Sequence, residues 1–381
     1  MGSGMTTQTA EDPKSRLQRL LGFLDVDPHN ERLLADTATA AFDAGELETA
    51  NQLIGRFNSL GTDDPAMRNL GALVALRTGR HDEAAETFET LLADMPTDAV
   101  LRFNLAWAKA LIGDHEAVVT LVDEDVVASA PRAAALKVEA LHHLDRLEEA
   151  ITVGQTYAVI VPADADLAAA IATVAMDNDD LELAERFAAR AGGSPVGLAA
   201  QGALALGAHD PSAAIGLFDR ALDRRATLPR AQVGKGLALL SLDRPADAAR
   251  WLDQGAAAFE DHLGSWIAAG WAHFIAGDAK TARARFDHAL LLDETFAESH
   301  GALAVLDMTE GQAELARKRA DIALRLDRTC LSAALAKSML AAHAGDPDAA
   351  TAIRNKALNH PAGPGGETLA DAIARMGLRR R

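Results

Sequence analysis

The chain has 381 residues, of which 49% are hydrophobic and only 4% aromatic, and 55 acidic against 37 basic residues give a formal charge of −18. The apolar content is too high for a disordered chain and sufficient for a hydrophobic core. The acidic excess argues against a nucleic-acid partner, because affinity for a polyanion comes from Lys and Arg that neutralise phosphates. No run of about 18 apolar residues occurs, so no membrane span is predicted.

The start of the chain has no pattern of a targeting signal. Residues 1–12 are predicted to be an expression tag followed by a disordered N-terminus, with Met5 as the natural start. The polar and acidic stretch from Thr6 to Pro13 lacks the basic and then apolar order of a secretory signal, so we expect a cytoplasmic protein. Cys330 is the only cysteine, which excludes an intrachain disulfide and disfavours a cysteine-based metal site.

A recurring helix pair is the main feature of the rest of the chain. A turn with Gly or Asp, two or three polar residues and an alanine that opens an apolar helical stripe return at a nearly constant interval. The separations are 34, 33, 33, 34, 30, 34, 34, 34 and 34 residues, for the alanines Ala50, Ala84, Ala117, Ala150, Ala184, Ala214, Ala248, Ala282, Ala316 and Ala350. This recurrence predicts about ten units of two helices each.

Glycine and proline mark the ends of the predicted helices. Glycine tolerates the left-handed conformation that ends a helix, and it stands after the first helix of many units, at Gly45, Gly79, Gly113, Gly277, Gly311 and Gly345. Proline is harmless in a first helical turn, and it falls at the junctions between units, at Pro96, Pro131, Pro162, Pro195 and Pro229. The 30-residue interval contains the sequence from Gly192 to Pro195, so one helix there is predicted to be shorter by about a turn.

These signals divide the chain after residue 12 into four segments. Residues 13–30 are predicted to be an N-terminal half-repeat or capping helix, residues 31–194 repeats one to five, and residues 195–361 repeats six to ten. A subdomain boundary is expected between residues 194 and 195. Residues 362–381 are predicted to be a linker and a C-terminal capping helix, because a terminal unit needs a polar outer face.

The units resemble the tetratricopeptide repeat family, over the range from about Pro13 to Asn359. The family's 34-residue unit has a bulky residue at position 4, Gly at 8 and 15, Ala at 20 and 27, and an aromatic residue at 24. Residues 263–296 match these positions with Trp266, Gly270, Gly277, Ala282, Phe286 and Ala289. The resemblance implies an all-α fold, a right-handed α-solenoid of antiparallel helix pairs.

Signatures of catalysis and of cofactor binding are missing from the sequence. It contains no phosphate-binding loop, dinucleotide fingerprint, nucleophile elbow or His-Glu-x-x-His motif. His142 and His143 are adjacent, so on a helix they diverge by about 100° and cannot chelate one ion together. Residues 177–180 begin like a calcium loop but lack its later glycine and glutamate, which favours a helix-capping turn. Cys330 is interpreted as a small buried residue. We predict no cofactor, no metal and no catalytic residue.

The resemblance places function on the concave groove formed by the first helices of the units. The predicted peptide- or protein-binding residues are Phe103, Trp107, Ile267, Trp271 and Phe274, with Arg77, Glu139 and His142 setting the orientation of the partner. Further groove positions hold Leu73, Leu76, Met176, Asp177, Leu206, Arg230, Leu237, Val305, Met308 and Met339. Packing between repeats is an equally good interpretation of the aromatic residues, because apolar residues at helical spacing usually form core.

Two functions fit these features. The first is a non-enzymatic scaffold, an adaptor or assembly factor, that holds an amphipathic helix or an extended apolar peptide of a partner protein in the groove. The second is a self-assembling structural protein, a homo-oligomer in which the segment from Leu369 to Leu378 fills the groove of a neighbouring chain. An enzyme is least favoured, because the repeats leave about 20 residues beyond the last unit.

Overall fold

The structure is a computed structural model that describes residues 12–359. These residues form 22 helices and no strand. Three predicted segments fall outside the described residues: all but the last residue of the tag and disordered N-terminus predicted at residues 1–12, the linker and capping helix at residues 362–381, and the self-assembling segment from Leu369 to Leu378. No helix between residues 12 and 359 is long and apolar enough to cross a bilayer.

The chain divides into two compact units between Leu167 and Ala168. The helices of the first unit are α1 (Pro13–Leu24), α2 (Glu31–Asp43), α3 (Leu47–Asn58), α4 (Pro65–Arg77), α5 (His81–Asp94), α6 (Ala99–Leu111), α7 (His115–Leu121), α8 (Glu124–Ser129), α9 (Arg132–His143) and α10 (Leu147–Ile160). The division falls within α11 (Ala165–Asp177), upstream of the boundary that we expect between residues 194 and 195, which stays a prediction.

The second unit continues the same alternation of helices. After α11 they are α12 (Leu181–Arg190), α13 (Pro195–Gly207), α14 (Pro211–Arg224), α15 (Pro229–Ser241), α16 (Pro245–Phe259), α17 (Leu263–Ile275), α18 (Ala279–Leu292), α19 (Ala297–Thr309), α20 (Ala313–Leu326), α21 (Leu331–His343) and α22 (Pro347–Leu358). Ten helix pairs therefore follow α1, and the predicted fold class, an all-α right-handed solenoid of antiparallel helix pairs, is confirmed.

The recurring alanine is a packing position of the second helix in each pair. Nine of the ten predicted alanines are the fourth residue of a second helix, and none of the nine is more than 8% exposed. The exception is Ala117, the third residue of α7, which is only partly buried. The fourth residue of α7 is Val118, which is fully buried. In this unit Val118 therefore takes the packing position, because burial follows the register of the helix rather than the identity of the residue.

Every pair turns between its two helices through one residue with a positive φ. Six of these residues are the predicted glycines, from Gly45 to Gly345, which confirms their role. The four pairs between α9 and α16 use a residue with a β-carbon at the same place, with φ between 58° and 60°: Asp145, Asp179, His209 and Asp243. The left-handed conformation costs such residues roughly 1–2 kcal/mol, a cost that glycine does not have.

Replacing Asp145 by glycine is expected to raise the free energy of unfolding by about 0.5–1 kcal/mol, because the turn keeps its conformation and loses its strain. The mirror change, Gly113→Ala in the preceding turn, is expected to lower it by about 1 kcal/mol, since φ is +80° there and no atom lies within 4 Å of an added β-carbon. Urea unfolding followed by far-UV circular dichroism measures both. A destabilised Asp145→Gly variant would contradict the strain argument.

The shortened helix that the 30-residue interval predicts is α12. It has 10 residues, whereas α10 and α14 have 14 each, so about one turn is missing. Side chains satisfy the carbonyl groups of the junction that follows. Gln201 Nε2 donates to the carbonyls of Ala188 at 2.9 Å and Gly192 at 3.2 Å, and Arg224 donates to the carbonyl of Gly193.

A break between α7 and α8 was not expected from the sequence. It frees the buried carbonyl of Val122, which accepts hydrogen bonds from Lys137 Nζ at 2.7 Å and from the hydroxyl of Tyr157 at 3.4 Å. Burial lowers the pKa of Lys137 and raises the pKa of Tyr157 to about 12. The single tyrosine of the chain therefore donates a hydrogen bond to a carbonyl that the break in the second helix leaves without a helical partner.

Candidate functional site

Five of the eight predicted binding residues lie in the first unit, on three successive first helices. Phe103 and Trp107 on α6 have ring centroids 6.1 Å apart, and Trp107 is 39% exposed. Arg77 at the end of α4 is exposed, and its guanidinium lies 5.1 Å from the ring centroid of Phe42. These three predicted residues present surface to solvent, and their role in binding stays a prediction.

The two remaining residues of that set lie on α9. Glu139 is exposed, and His142 is half-buried. The ring centroids of His142 and His143 are 6.3 Å apart, and His143 stacks on His115 at 4.4 Å with the two rings nearly parallel. His143 therefore packs its ring against a residue of α7.

The other three predicted residues lie on α17, in the second unit. Ile267 is 8% exposed, so it offers little surface to a partner. Trp271 and Phe274 are half-buried, with ring centroids 5.6 Å apart. Both pack against a buried cluster that is formed by Ala304, Val305, Ala320 and Ala336. Trp271 and Phe274 are therefore partly packed in the core and partly exposed to solvent, and their role in binding stays a prediction.

Small residues close the space between the first helices α19 and α21. A β-carbon on Gly301 would lie 2.7 Å from the backbone nitrogen of Ala333, so only glycine allows this approach. Val305, which we expected on the groove surface, is 1% exposed. That expectation was wrong, because the close packing of α19 against its neighbours covers the groove position.

An open cleft of about 550 Å³ lies on the first helices α11, α13 and α15 and the start of α17. Its apolar walls include Met176, Leu206 and Leu237, and its polar groups include Asp177 and Arg230. All five are groove positions in the sequence analysis. A volume of this size is typical of sites that bind ligands or peptide side chains.

The depth of the cleft comes from small residues, which were not predicted to form a site. Ala199, Ala203 and Gly234 line it, and the buried ring of Phe218 also contributes to its lining. A β-carbon on Gly234 would collide with that ring, and one on Gly202 would lie 2.6 Å from it. The signal was present as a series of alanines and glycines on α13 and α15, next to leucines at groove positions.

The polar groups of the cleft have different surroundings. Asp177 Oδ2 lies 3.7 Å from a terminal nitrogen of Arg230, and both side chains are nearly half exposed, so solvent screens this pair. At the other end, His262 Nδ1 accepts the backbone N–H of Ser265 at 3.2 Å and lies 2.6 Å from its hydroxyl oxygen. That histidine caps α17, whereas the ion pair is accessible to a bound molecule.

Two further interpretations of the sequence are confirmed. Asp180 accepts the backbone N–H of Leu183 at 3.0 Å, so the turn of residues 177–180 ends in the N-cap of α12. Cys330 is 2% exposed, and burial raises the pKa of its thiol to about 12. Between residues 12 and 359, no group of three or more His, Cys, Asp or Glu side chains is placed to hold a metal ion.

Comparisons with known proteins agree with this repeat architecture. A sequence model of the tetratricopeptide repeat matches residues 35–99, 69–117 and 199–262. A solved structure of a monomeric IFIT1 variant with m7Gppp-AAAA is similar over 92% of this chain and 95% of its own, with 12% identity and a TM-score of 0.55. The human IFIT1 dimer with m7Gppp-AAAA is similar over 94% and 97%, with 13% identity and a TM-score of 0.54. No curated protein matches the sequence.

These matches and the geometry support one assignment. At such low identity, the solved structures show the fold alone. The sequence matches cover helices from both units, from α2 to α7 and from α13 to α16. Every helix pair also has the left-handed turn between its helices. The chain therefore has tetratricopeptide repeats at residues 35–117 and 199–262, within a series of similar helix pairs.

Proposed function

We propose that the protein is a non-enzymatic interaction scaffold, which holds an apolar segment of a partner protein in the cleft of α11, α13, α15 and α17. The composition of the cleft carries this proposal. Met176, Leu206 and Leu237 come from three successive first helices and line the same cleft as the ion pair of Asp177 and Arg230. An amphipathic helix or an extended apolar peptide has the shape that such a groove accepts.

The apolar walls can supply enough free energy for specific binding. Leu237 is 37% exposed, and Met176 and Leu206 are half-buried, so each has surface left to cover. Covering a large apolar side chain completely contributes about 1.5–3 kcal/mol, and these partly covered ones contribute less. Together with the apolar residues of the partner, they would offset association costs of several kcal/mol and leave affinity in the micromolar range. Asp177 and Arg230 would orient the polar edge of the segment.

The predicted residues of the first unit form a second surface in this proposal. Phe103 and Trp107 offer aromatic contact area, and Arg77, Glu139 and His142 offer polar groups on the neighbouring first helices. We treat this surface as a separate contact region of a cytoplasmic adaptor.

Selection from a displayed library of random 16-residue peptides tests the cleft. Selection on the purified full chain is expected to enrich sequences with large apolar residues. Leu237→Glu is expected to weaken the enriched peptides at least tenfold, because it places an uncompensated charge against their apolar side chains. Fluorescence anisotropy of labelled synthetic peptides measures the affinities.

Leu291→Glu is the matched control, since Leu291 is 80% exposed at the end of the second helix α18. It introduces the same charge outside the cleft and is expected to leave the affinities unchanged. Failure to enrich any peptide, or equal loss of affinity in both variants, would contradict the proposal.

Nucleic acid is an alternative partner, which a separate binding measurement tests. The similar IFIT1 structures contain m7Gppp-AAAA, whereas Arg230 in the cleft of this chain is paired with Asp177 and the chain carries a charge of −18. We expect m7Gppp-AAAA to bind at least a hundredfold more weakly than the selected peptides at physiological salt. If the oligonucleotide bound more tightly than the selected peptides, and Arg230→Gln weakened its binding, the partner would be RNA rather than a protein.

A further inference from the structure

The fourth residue of the first helix has the same task in three successive pairs of the second unit. Its side chain donates a hydrogen bond to the carbonyl six residues earlier, in the turn before the helix. The three bonds join Gln232 to Ala226 at 3.3 Å, Trp266 to Glu260 at 2.8 Å and His300 to Glu294 at 2.9 Å. The side chain thus fills the space above the turn and satisfies its carbonyl.

In the last helix pair, this position is Ala334, which has no donor and little volume. The residue that caps α21 is Cys330, whereas the preceding first helix is capped by Phe296. An open cavity of about 320 Å³ lies there, with Leu324, Leu331 and Ile353 among its walls. The cavity therefore occupies the place where α17 has the indole of Trp266 and α19 has the imidazole of His300.

Three cationic side chains also line this cavity, in a chain that is strongly acidic overall. Lys337 is paired with Asp321 at 2.5 Å. Arg328 and Lys356 form no ion pair with any residue between 12 and 359. The cavity thus combines apolar walls, a turn carbonyl without the usual side-chain donor, and positive charge at its edge.

We propose that the cavity binds a small aromatic carboxylate of the size of an indole. The ring would occupy the space that Trp266 fills in its own repeat, and the ring N–H would donate to the carbonyl of Arg328, six residues before Ala334. The carboxylate would face the side chains of Arg328 and Lys356. This site lies apart from the cleft of α11 to α17 and does not depend on the proposed protein partner.

Indole-3-acetate is the probe for this site. Isothermal titration of the full chain is expected to show binding of one molecule with millimolar or tighter affinity. The N-methylated analogue is expected to bind about tenfold more weakly, because it leaves the carbonyl of Arg328 unpaired. Absence of binding by indole-3-acetate at several millimolar, or equal binding of both compounds, would overturn the proposal.

Ala334→Trp should block the site by restoring the side chain of the earlier repeat. It is expected to abolish binding while the thermal midpoint stays the same or rises, because the new ring fills the cavity. Leu335→Trp is the control, since Leu335 is the next residue of α21, is 44% exposed and does not line the cavity. Retained binding in Ala334→Trp, or loss in both variants, would refute the site.

Charge removal tests the same site without adding volume. The double variant Arg328→Gln, Lys356→Gln is expected to bind indole-3-acetate about three- to fivefold more weakly and neutral indole equally well. Lys318→Gln, which removes an exposed charge from α20 outside the cavity, is the control and is expected to change neither affinity. An unchanged affinity in the double variant would show that the carboxylate does not face these cations.

Discussion

Replacing Phe286 by alanine is expected to lower the free energy of unfolding of the second unit by about 3–5 kcal/mol. The side chain is fully buried in α18, and its ring centroid lies 5.4 Å from that of Trp271. A β-carbon on Gly270 would collide with the ring, so two helix backbones approach each other across it. Truncation would therefore leave a cavity that rigid neighbours cannot fill.

Urea unfolding followed by tryptophan fluorescence measures this loss, because Trp251, Trp266 and Trp271 are three of the four tryptophans of the chain and lie in the second unit. Leu291→Ala on the same helix is the control. Leu291 is 80% exposed, and its truncation is expected to cost less than about 0.5 kcal/mol. A loss below about 1 kcal/mol for Phe286→Ala would mean that the aromatic position is not a centre of packing.

In the double variant Arg283→Met, Arg319→Met, the free energy of unfolding is expected to fall by about 3–5 kcal/mol, because the carboxylate of Asp307 stays buried without a cation. Asp307 is 0% exposed. Arg283 binds its Oδ1 at 2.8 Å and Arg319 binds its Oδ2 at 3.1 Å. Methionine keeps much of the apolar stem of arginine, so the loss reports the charge rather than the packing.

A third substitution separates these two effects. Adding Asp307→Leu to the double variant is expected to restore most of the stability, since apolar side chains can replace a buried ionic cluster. Arg244→Met is the control for an exposed pair, because Arg244 and Asp247 are about half exposed, and it is expected to cost less than about 1 kcal/mol. Failure of Asp307→Leu to restore stability would show that lost packing, not the orphaned charge, is the cause.

The candidate cleft shows how far the sequence could locate a site. The resemblance placed Met176, Leu206 and Leu237 on the concave face, and all three line the cleft. The sequence favoured aromatic residues such as Trp271 instead, because they are the largest apolar groups. This part of the groove is open because small residues, such as Gly234, leave space between the first helices. The composition of the chain does not reveal whether neighbouring side chains fill such a space.

Strain and buried polar groups were also hidden from a reading of local pattern. Glycine in the sequence predicts a left-handed turn, whereas an aspartate such as Asp145 does not. The structure shows that both have a positive φ in the turn between paired helices. The break that Lys137 and Tyr157 satisfy is likewise a tertiary feature, because the two donors lie 15 and 35 residues from the carbonyl of Val122. Partners so distant in the chain leave no signal in spacing.

Length, composition and the alanine interval by themselves determined that this protein consists of about ten successive helix pairs. Because neighbouring repeats pack in the same way, small and apolar residues recur at a constant interval, and this interval can be detected in the amino-acid sequence. The tertiary structure alone decided which groove positions stay open, as at Leu237, and which close, as at Val305. That distinction depends on the distance between adjacent first helices. Small residues such as Gly301 allow a close approach, but the packing of the helices decides whether it occurs.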